Sequence, residues 1–187
     1  LDAGAAYPLG DLLRATIVAS GNDSATALAE HMAGSENAFV ALMNQKAQDM
    51  ELKDTVYVNC TGLPAQGQHT TARDVAAIAA AVSRYPLYFE NSSLWLSSIT
   101  HPSGRVTDLT NTNRLVRFYT DCDGLKTGST NEAKYCIAAT AQRNGMRLIA
   151  VVLGDDTSQH RFDDARAMLD YGFGSYQRVQ VIAAGDL

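Results

Sequence analysis

The chain is 187 residues long, with 46% hydrophobic and 19% charged residues, a composition of ordinary globular proteins rather than of disordered, collagenous or disulfide-stapled ones. That length suits one domain with a short tail, at about 100 to 200 residues per domain. A net charge of −5 without a basic block gives no electrostatic grip on nucleic acid or anionic lipid, and the apolar runs 76–82 and 148–153 are far shorter than the roughly 18 to 20 residues that span a bilayer.

In chain order, the first half reads as helices. Leu9, Leu12, Leu13, Ile17 and Val18 share a face at helical spacing, and the run stops at Ser20-Gly21-Asn22-Asp23, where Asn or Asp is expected to cap the next helix. A short helix through Ala27, Leu28 and Met32 ends at Gly34. Ser35 then serves as the N-cap of a longer one with an apolar stripe of Phe39, Leu42, Met43, Ala47 and Met50. Residues 55–67 fill with Gly, Pro and Asn and read as a loop. Thr71 caps a further helix, with Val75, Ile78, Ala79 and Val82 inward, that Pro86 stops.

Beyond Pro86 the pattern turns to strands. Ile99-Thr100 and Arg105-Val106-Thr107 form a hairpin about His101-Pro102-Ser103-Gly104, and the runs 124–128, 135–141 and 147–153 follow with links short enough to require antiparallel pairing. Phe162, Ala165, Met168 and Leu169 then define a last helix that stops at Gly172, and the alternating tail 174–187 begins another strand or a following β module after a domain of residues 1–173. A helical block, an antiparallel meander and a covering helix make an α+β fold with segregated elements.

Two strings carry chemistry: Ser20-Gly21-Asn22 opening a helix and Lys126-Thr127-Gly128 on a strand that opens the meander. Each has a bland alternative. S-x-N can be only a turn and helix cap, and a lone edge lysine often just discourages aggregation. Arg161, at the start of the last helix, can pair on the surface with Asp163 or Asp164. His31, His69, His101 and His160 match no metal spacing, so neither a metal nor another cofactor is expected. Cys60, Cys122 and Cys136 read as free thiols, the last two out of register for a disulfide.

The order S-x-N then K-T-G, together with Ser20-Gly21-Asn22-Asp23-Ser24-Ala25, Thr61-Gly62-Leu63, Thr71-Ala72-Arg73-Asp74 and Asp123-Gly124-Leu125-Lys126-Thr127-Gly128, resembles the low-molecular-mass penicillin-binding proteins that act as D-alanyl-D-alanine carboxypeptidases. The resemblance runs from about Tyr7 to Phe173. It implies a β-lactamase/transpeptidase-like fold, an extracytoplasmic setting, a peptidoglycan stem peptide as substrate and β-lactam antibiotics as ligands. Any membrane attachment would come through a segment outside this chain. The family's nucleophile is the serine of S-x-x-K. Met43, Met50, Asp123 and Asn131 stand three residues before the four lysines, so no such motif exists here. The family places it upstream of S-x-N, hence the expectation that the N-terminal part of the fold is absent.

By that resemblance the Ser20 hydroxyl relays a proton between the missing lysine and the leaving amine, while the Asn22 amide holds a substrate carbonyl. Lys126 and Thr127 take the substrate carboxylate, Gly128 leaves room for substrate along the strand edge, and the Ser129 N–H supplies half an oxyanion hole. Arg161 also serves the carboxylate. Two other readings remain: a class A β-lactamase relative, against which Ser20-Gly21-Asn22 in place of S-D-N counts, and a non-catalytic binding module that keeps the carboxylate cradle without a nucleophile.

Overall fold

A computed structural model describes residues 1–179 and residue 181. Its elements are α1 (Leu9–Ala19), α2 (Asn22–Ala33), α3 (Glu36–Asp49), α4 (Ala72–Val82), α5 (Pro86–Ser92), β1 (Leu96–Thr100), β2 (Val106–Thr110), α6 (Leu115–Phe118), β3 (Cys122–Thr130), β4 (Lys134–Arg143), β5 (Met146–Asp155) and α7 (Ser158–Ser175). This is the α+β arrangement the pattern predicts. Strands pair antiparallel in two sheets, β1-β2 and β3-β4-β5.

The larger sheet is built by strict alternation. Ile137, Ala139 and Ala141 of β4 stand opposite Val152, Ala150 and Leu148 of β5, so all six share one face. That face packs on Phe162, Ala165 and Leu169 of α7 and on Leu115 of α6, forming the main core. Burying each such large side chain contributes about 1.5 to 3 kcal/mol. Against it, α7 sits unusually close: a Cβ on Gly172 would lie 2.5 Å from Leu148 Cδ1. Gly172 therefore lets the helix pass rather than stop it, and α7 continues to Ser175, a correction to the expected end.

The second core is smaller. Ala15 and Val18 of α1 pack on Ile99 and Leu109 of the β1-β2 hairpin. Caps fall where expected for α3 and α4, with the hydroxyls of Ser35 and Thr71 accepting from the N–H groups of Ala38 and Asp74, and α7 adds one in Thr157, whose hydroxyl accepts from the His160 N–H. At α2 the N-cap is Gly21, and neither Asn22 nor Asp23 caps it. Pro86 does more than follow a stop: it is the first residue of α5, where its fixed φ and missing N–H suit a helix start. The strand expected over the tail opens as irregular chain at residues 176–179, and apart from Val181 its remainder lies outside the described residues. No described helix is long and apolar enough to cross a membrane.

Candidate active site

Helix α1 ends by turning its last residue left-handed. Ser20 sits at φ 59°, ψ 40°, and the Gly21 N–H closes back on Ala15 O at 3.1 Å. A serine in this conformation costs about 1 to 2 kcal/mol relative to right-handed backbone, and such strain persists only where packing holds it. Here α1 is held by its buried face on the hairpin, and α2 starts at once after Gly21. Asn22 consequently lies in the first turn of α2, exposed, with its amide engaged by no described residue.

The facing wall is β3, an edge strand of its sheet. Its approach is rigidly supported. Asp123 is gripped by Arg147 in two hydrogen bonds of 2.8 and 2.7 Å, and that guanidinium lies 4.2 Å over the Phe89 ring. Ser92 Oγ donates to Asp123 O at 2.6 Å, and Asn113 Nδ2 donates to Gly124 O at 2.9 Å. A Cβ on Gly124 would meet Ser92 Oγ at 2.9 Å, so only glycine lets α5 approach this closely.

Across the gap, Lys126 Nζ donates to Ser20 Oγ at 2.7 Å and to Thr127 O at 2.9 Å. The pair is 106 positions apart in sequence. An ammonium has three protons, so one is left for an incoming group. Burial first, and the nearby Arg161 charge second, push the Lys126 pKa down from 10.5 to about 8. The ammonium still predominates at neutral pH. Thr127 is buried and its hydroxyl donates to Thr112 Oγ1 at 2.7 Å. Above Gly128 there is open space, with no heavy atom within 4 Å of where a Cβ would stand.

Arg161 is buried rather than paired with Asp163 or Asp164 on the surface. From α7 its Nη1 donates to Gly128 O at 3.0 Å and to Cys136 O at 3.3 Å, which ties the helix to the β3-β4 row where those two residues pair. Its Nε has no partner among the described residues, and desolvation lowers its pKa. Ser20, Asn22, Lys126, Thr127, Gly128, Ser129 and Arg161 all line one groove of about 450 Å³. The sequence reading assigns no site role to five further lining residues, Thr61, Gly62, Leu63, Thr112 and Thr130, although the first three form one of the strings that carry the resemblance. Thr112 lines the same groove, as do Thr61 and Leu63, on a loop fixed by Asn59 Oδ1 accepting from the Gly62 N–H at 2.7 Å and Gln68 Oε1 from the Val58 N–H at 3.0 Å. Two polar residues that close a loop on itself, Asn59 and Gln68, were the available signal. Among the described residues no group of three His, Cys, Asp or Glu side chains could hold a metal ion.

Comparison with known proteins follows the same lines. Residues 1–157 match the D-alanyl-D-alanine carboxypeptidase family of peptidases. The D-alanyl-D-alanine carboxypeptidase DacF of Bacillus subtilis is 38% identical over 177 residues, which cover 95% of this chain and 46% of that protein. DacD of Escherichia coli is 39% identical over 181 residues, covering 94% and 44%. The chain thus spans less than half the length of these curated relatives. Among solved structures, the Streptomyces K15 DD-transpeptidase superposes with a TM-score of 0.87 at 28% identity, covering 93% of this chain and 71% of that one. Penicillin-binding protein D2 of Listeria monocytogenes, in its ampicillin-bound form, gives 0.79 at 32% identity, covering 89% and 68%.

Proposed function

The chain belongs to the D-alanyl-D-alanine carboxypeptidase family, and from that premise we propose that it supplies two walls of a serine acyl-transfer site that removes the terminal D-alanine of peptidoglycan stem peptides. The observation that carries this is the 2.7 Å hydrogen bond from Lys126 Nζ to Ser20 Oγ across the groove. Both side chains present polar atoms to a shared cleft. The site would lie outside the cytoplasmic membrane, where peptidoglycan is, and would also accept β-lactams, whose carboxylate and strained amide imitate the peptide end.

Chemistry follows from the donor count. Because Ser20 Oγ accepts from the Lys126 ammonium, its own proton points elsewhere and can pass to a leaving amine. The cation beside it makes the hydroxyl a better acid, and the remaining Lys126 proton meets a carboxylate. Asn22, with its amide unengaged, would hold a substrate carbonyl. The open edge of β3 lets an extended peptide add as a further strand over Gly128, with the Ser129 N–H as one oxyanion donor. The nucleophile and its base must come from an S-x-x-K segment, which these 187 residues do not contain.

The test is intact-mass measurement with a penicillin and D-alanine release from a peptide ending in D-Ala-D-Ala. The complete reading frame that contains these residues should take up one penicillin per chain and release D-alanine. The 187-residue chain alone should do neither. A complete frame that carries S-x-x-K yet stays unmodified and inactive would overturn the assignment.

A further inference from the structure

Thr112 belongs to no motif that the family resemblance singled out, yet it touches both walls of the groove. Its N–H donates to Val18 O at 3.1 Å, two residues before Ser20, and its Oγ1 accepts from the Thr127 hydroxyl at 2.7 Å. The backbone on either side of it is locked. Asn111, buried, donates through Nδ2 to Ser92 O at 2.9 Å and Leu94 O at 2.8 Å, and its Oδ1 accepts from the Asn113 N–H at 2.9 Å. Asn113, also buried, donates to Gly124 O at 2.9 Å and accepts from the Leu115 N–H at 3.1 Å. Two asparagines with nearly all their hydrogen-bonding capacity spent on main chain hold a threonine between them whose hydroxyl faces the cleft.

We infer that Thr112 is a positioning residue for recognition of the substrate carboxylate, resting on the function proposed above. Its N–H sets the spacing of the Ser20 corner from β3, and its hydroxyl acts as a switchable partner of Thr127. A hydroxyl has one proton and two lone pairs. The Thr127 proton is committed to Thr112 Oγ1. For Thr127 to donate to an anion beside Lys126, that proton must turn outward, and a neighbour able to reverse and donate to Thr127 Oγ1 keeps the hydrogen bond while this happens. Thr112 can reverse; a valine cannot. The chain of donors then runs from Thr112 through Thr127 to the carboxylate, each bond polarising the next. Loss of the neutral hydroxyl bond by which Thr112 supports Thr127 is worth up to about tenfold in affinity.

The experiment uses the complete reading frame that contains this chain, with Thr112→Val and Thr112→Ser, and follows acylation by a penicillin and by the methyl ester of the same penicillin, which lacks the carboxylate. Thr112→Val should weaken capture of the free acid about tenfold through its apparent dissociation constant, leave the limiting acylation rate within about twofold, and leave capture of the ester nearly unchanged. Thr112→Ser should restore capture of the acid. Equal loss with acid and ester, loss of the limiting rate alone, or no effect of Thr112→Val would overturn the inference while the enzyme remains a penicillin-acylated one. An unsubstituted protein that never acylates would overturn the functional reading, and this inference with it.

Discussion

Where the sheet meets α7, Ile137 and Ala139 of β4 and Phe162 of α7 are 1%, 0% and 3% exposed, whereas on the helical side Met32 of α2 and Leu42 of α3 stand 66% and 55% exposed. Both regions carry apolar residues at the period of their own secondary structure. They differ in what covers them. The sheet has α7 across one face, so the rows of Ile137 with Val152, Ala139 with Ala150 and Ala141 with Leu148 pack against helix side chains. Phe39, Leu42 and Met43 of the α3 stripe line an open apolar trough together with Met32, Tyr57 and Ile78. Periodicity thus marks which face a segment wants to bury, and only packing decides whether it is buried. The groove lies where these two regions meet, Ser20 and Asn22 from the helical side and residues 126–129 from the sheet.

The largest expected effect would break the comparison at that seam. In the complete reading frame, Lys126→Ala should slow penicillin acylation on the order of a hundred- to a thousandfold, as removal of a preorganised donor does, while thermal unfolding changes little. Stopped-flow acylation alongside a melting curve reads both. A melt that falls as steeply as the rate would make Lys126 a structural residue of the interface.

Next comes stability, which sharpens the contrast within the 187-residue chain. Ile137→Ala should cost about 2 to 5 kcal/mol in urea unfolding, because a buried side chain leaves a cavity. Leu42→Ala, taken from an exposed position, should stay within about 0.5 kcal/mol. Similar costs for the two would show that the trough is closed in solution.

Gly128→Ala separates groove from fold more gently. No atom stands within 4 Å of the added methyl and the backbone there needs no positive φ, so the melting temperature should hold. Capture of penicillin by the complete protein should drop several-fold to tenfold, because the methyl occupies the path of an added strand. Unchanged capture would move the substrate off this edge.

The smallest effect is the pH dependence of Lys126, whose folded pKa of about 8 lies below its ordinary 10.5. Between those values the unfolded chain holds the proton and the folded chain has released it, so stability from this group rises with pH across that window. Below about 8 both states are protonated and the full burial penalty is felt. Carboxylate capture runs the other way and should weaken as pH climbs through about 8. Urea titrations of the native chain against Lys126→Met at pH 7 and 9.5 should show the native chain gaining more; an equal gain would remove the assigned shift.

Much of this was legible in the residues. Strand-like runs at 135–141 and 147–153 with a short link between them marked the sheet, Ser35 and Thr71 marked two helix starts, and the lysine in Asp123-Gly124-Leu125-Lys126-Thr127-Gly128 stood out because the chain has only four. The misreadings share a cause: they concern residues whose role depends on something distant in sequence. Gly172 looks like a terminator until Leu148 is beneath it; the cap of α2 is the exception, a one-residue misplacement in which adjacent Gly21 takes the place expected of Asn22 or Asp23. For Arg161 it is the bland alternative, a surface pair with Asp163 or Asp164, that fails in the same way as the Gly172 stop, since the side chain is 7% exposed and holds carbonyls of β3 and β4. Pro86 reads as a stop because its effect on the preceding segment is local, while the short helix it opens is fixed by contact of α5 with α1 and β3.

By itself the sequence determined the periods, the caps and the identity of the chemical groups, because these depend on neighbours within about four positions, where chain connectivity already fixes geometry. Tertiary structure alone decided that a left-handed serine at the end of α1 meets a lysine of β3, and that Thr112 bonds both to Val18 near that serine and to Thr127 beside that lysine. Such meetings rest on the burial of two separate apolar faces, the α1-hairpin core and the sheet-α7 core, and on the buried asparagine bonds that join them across the seam.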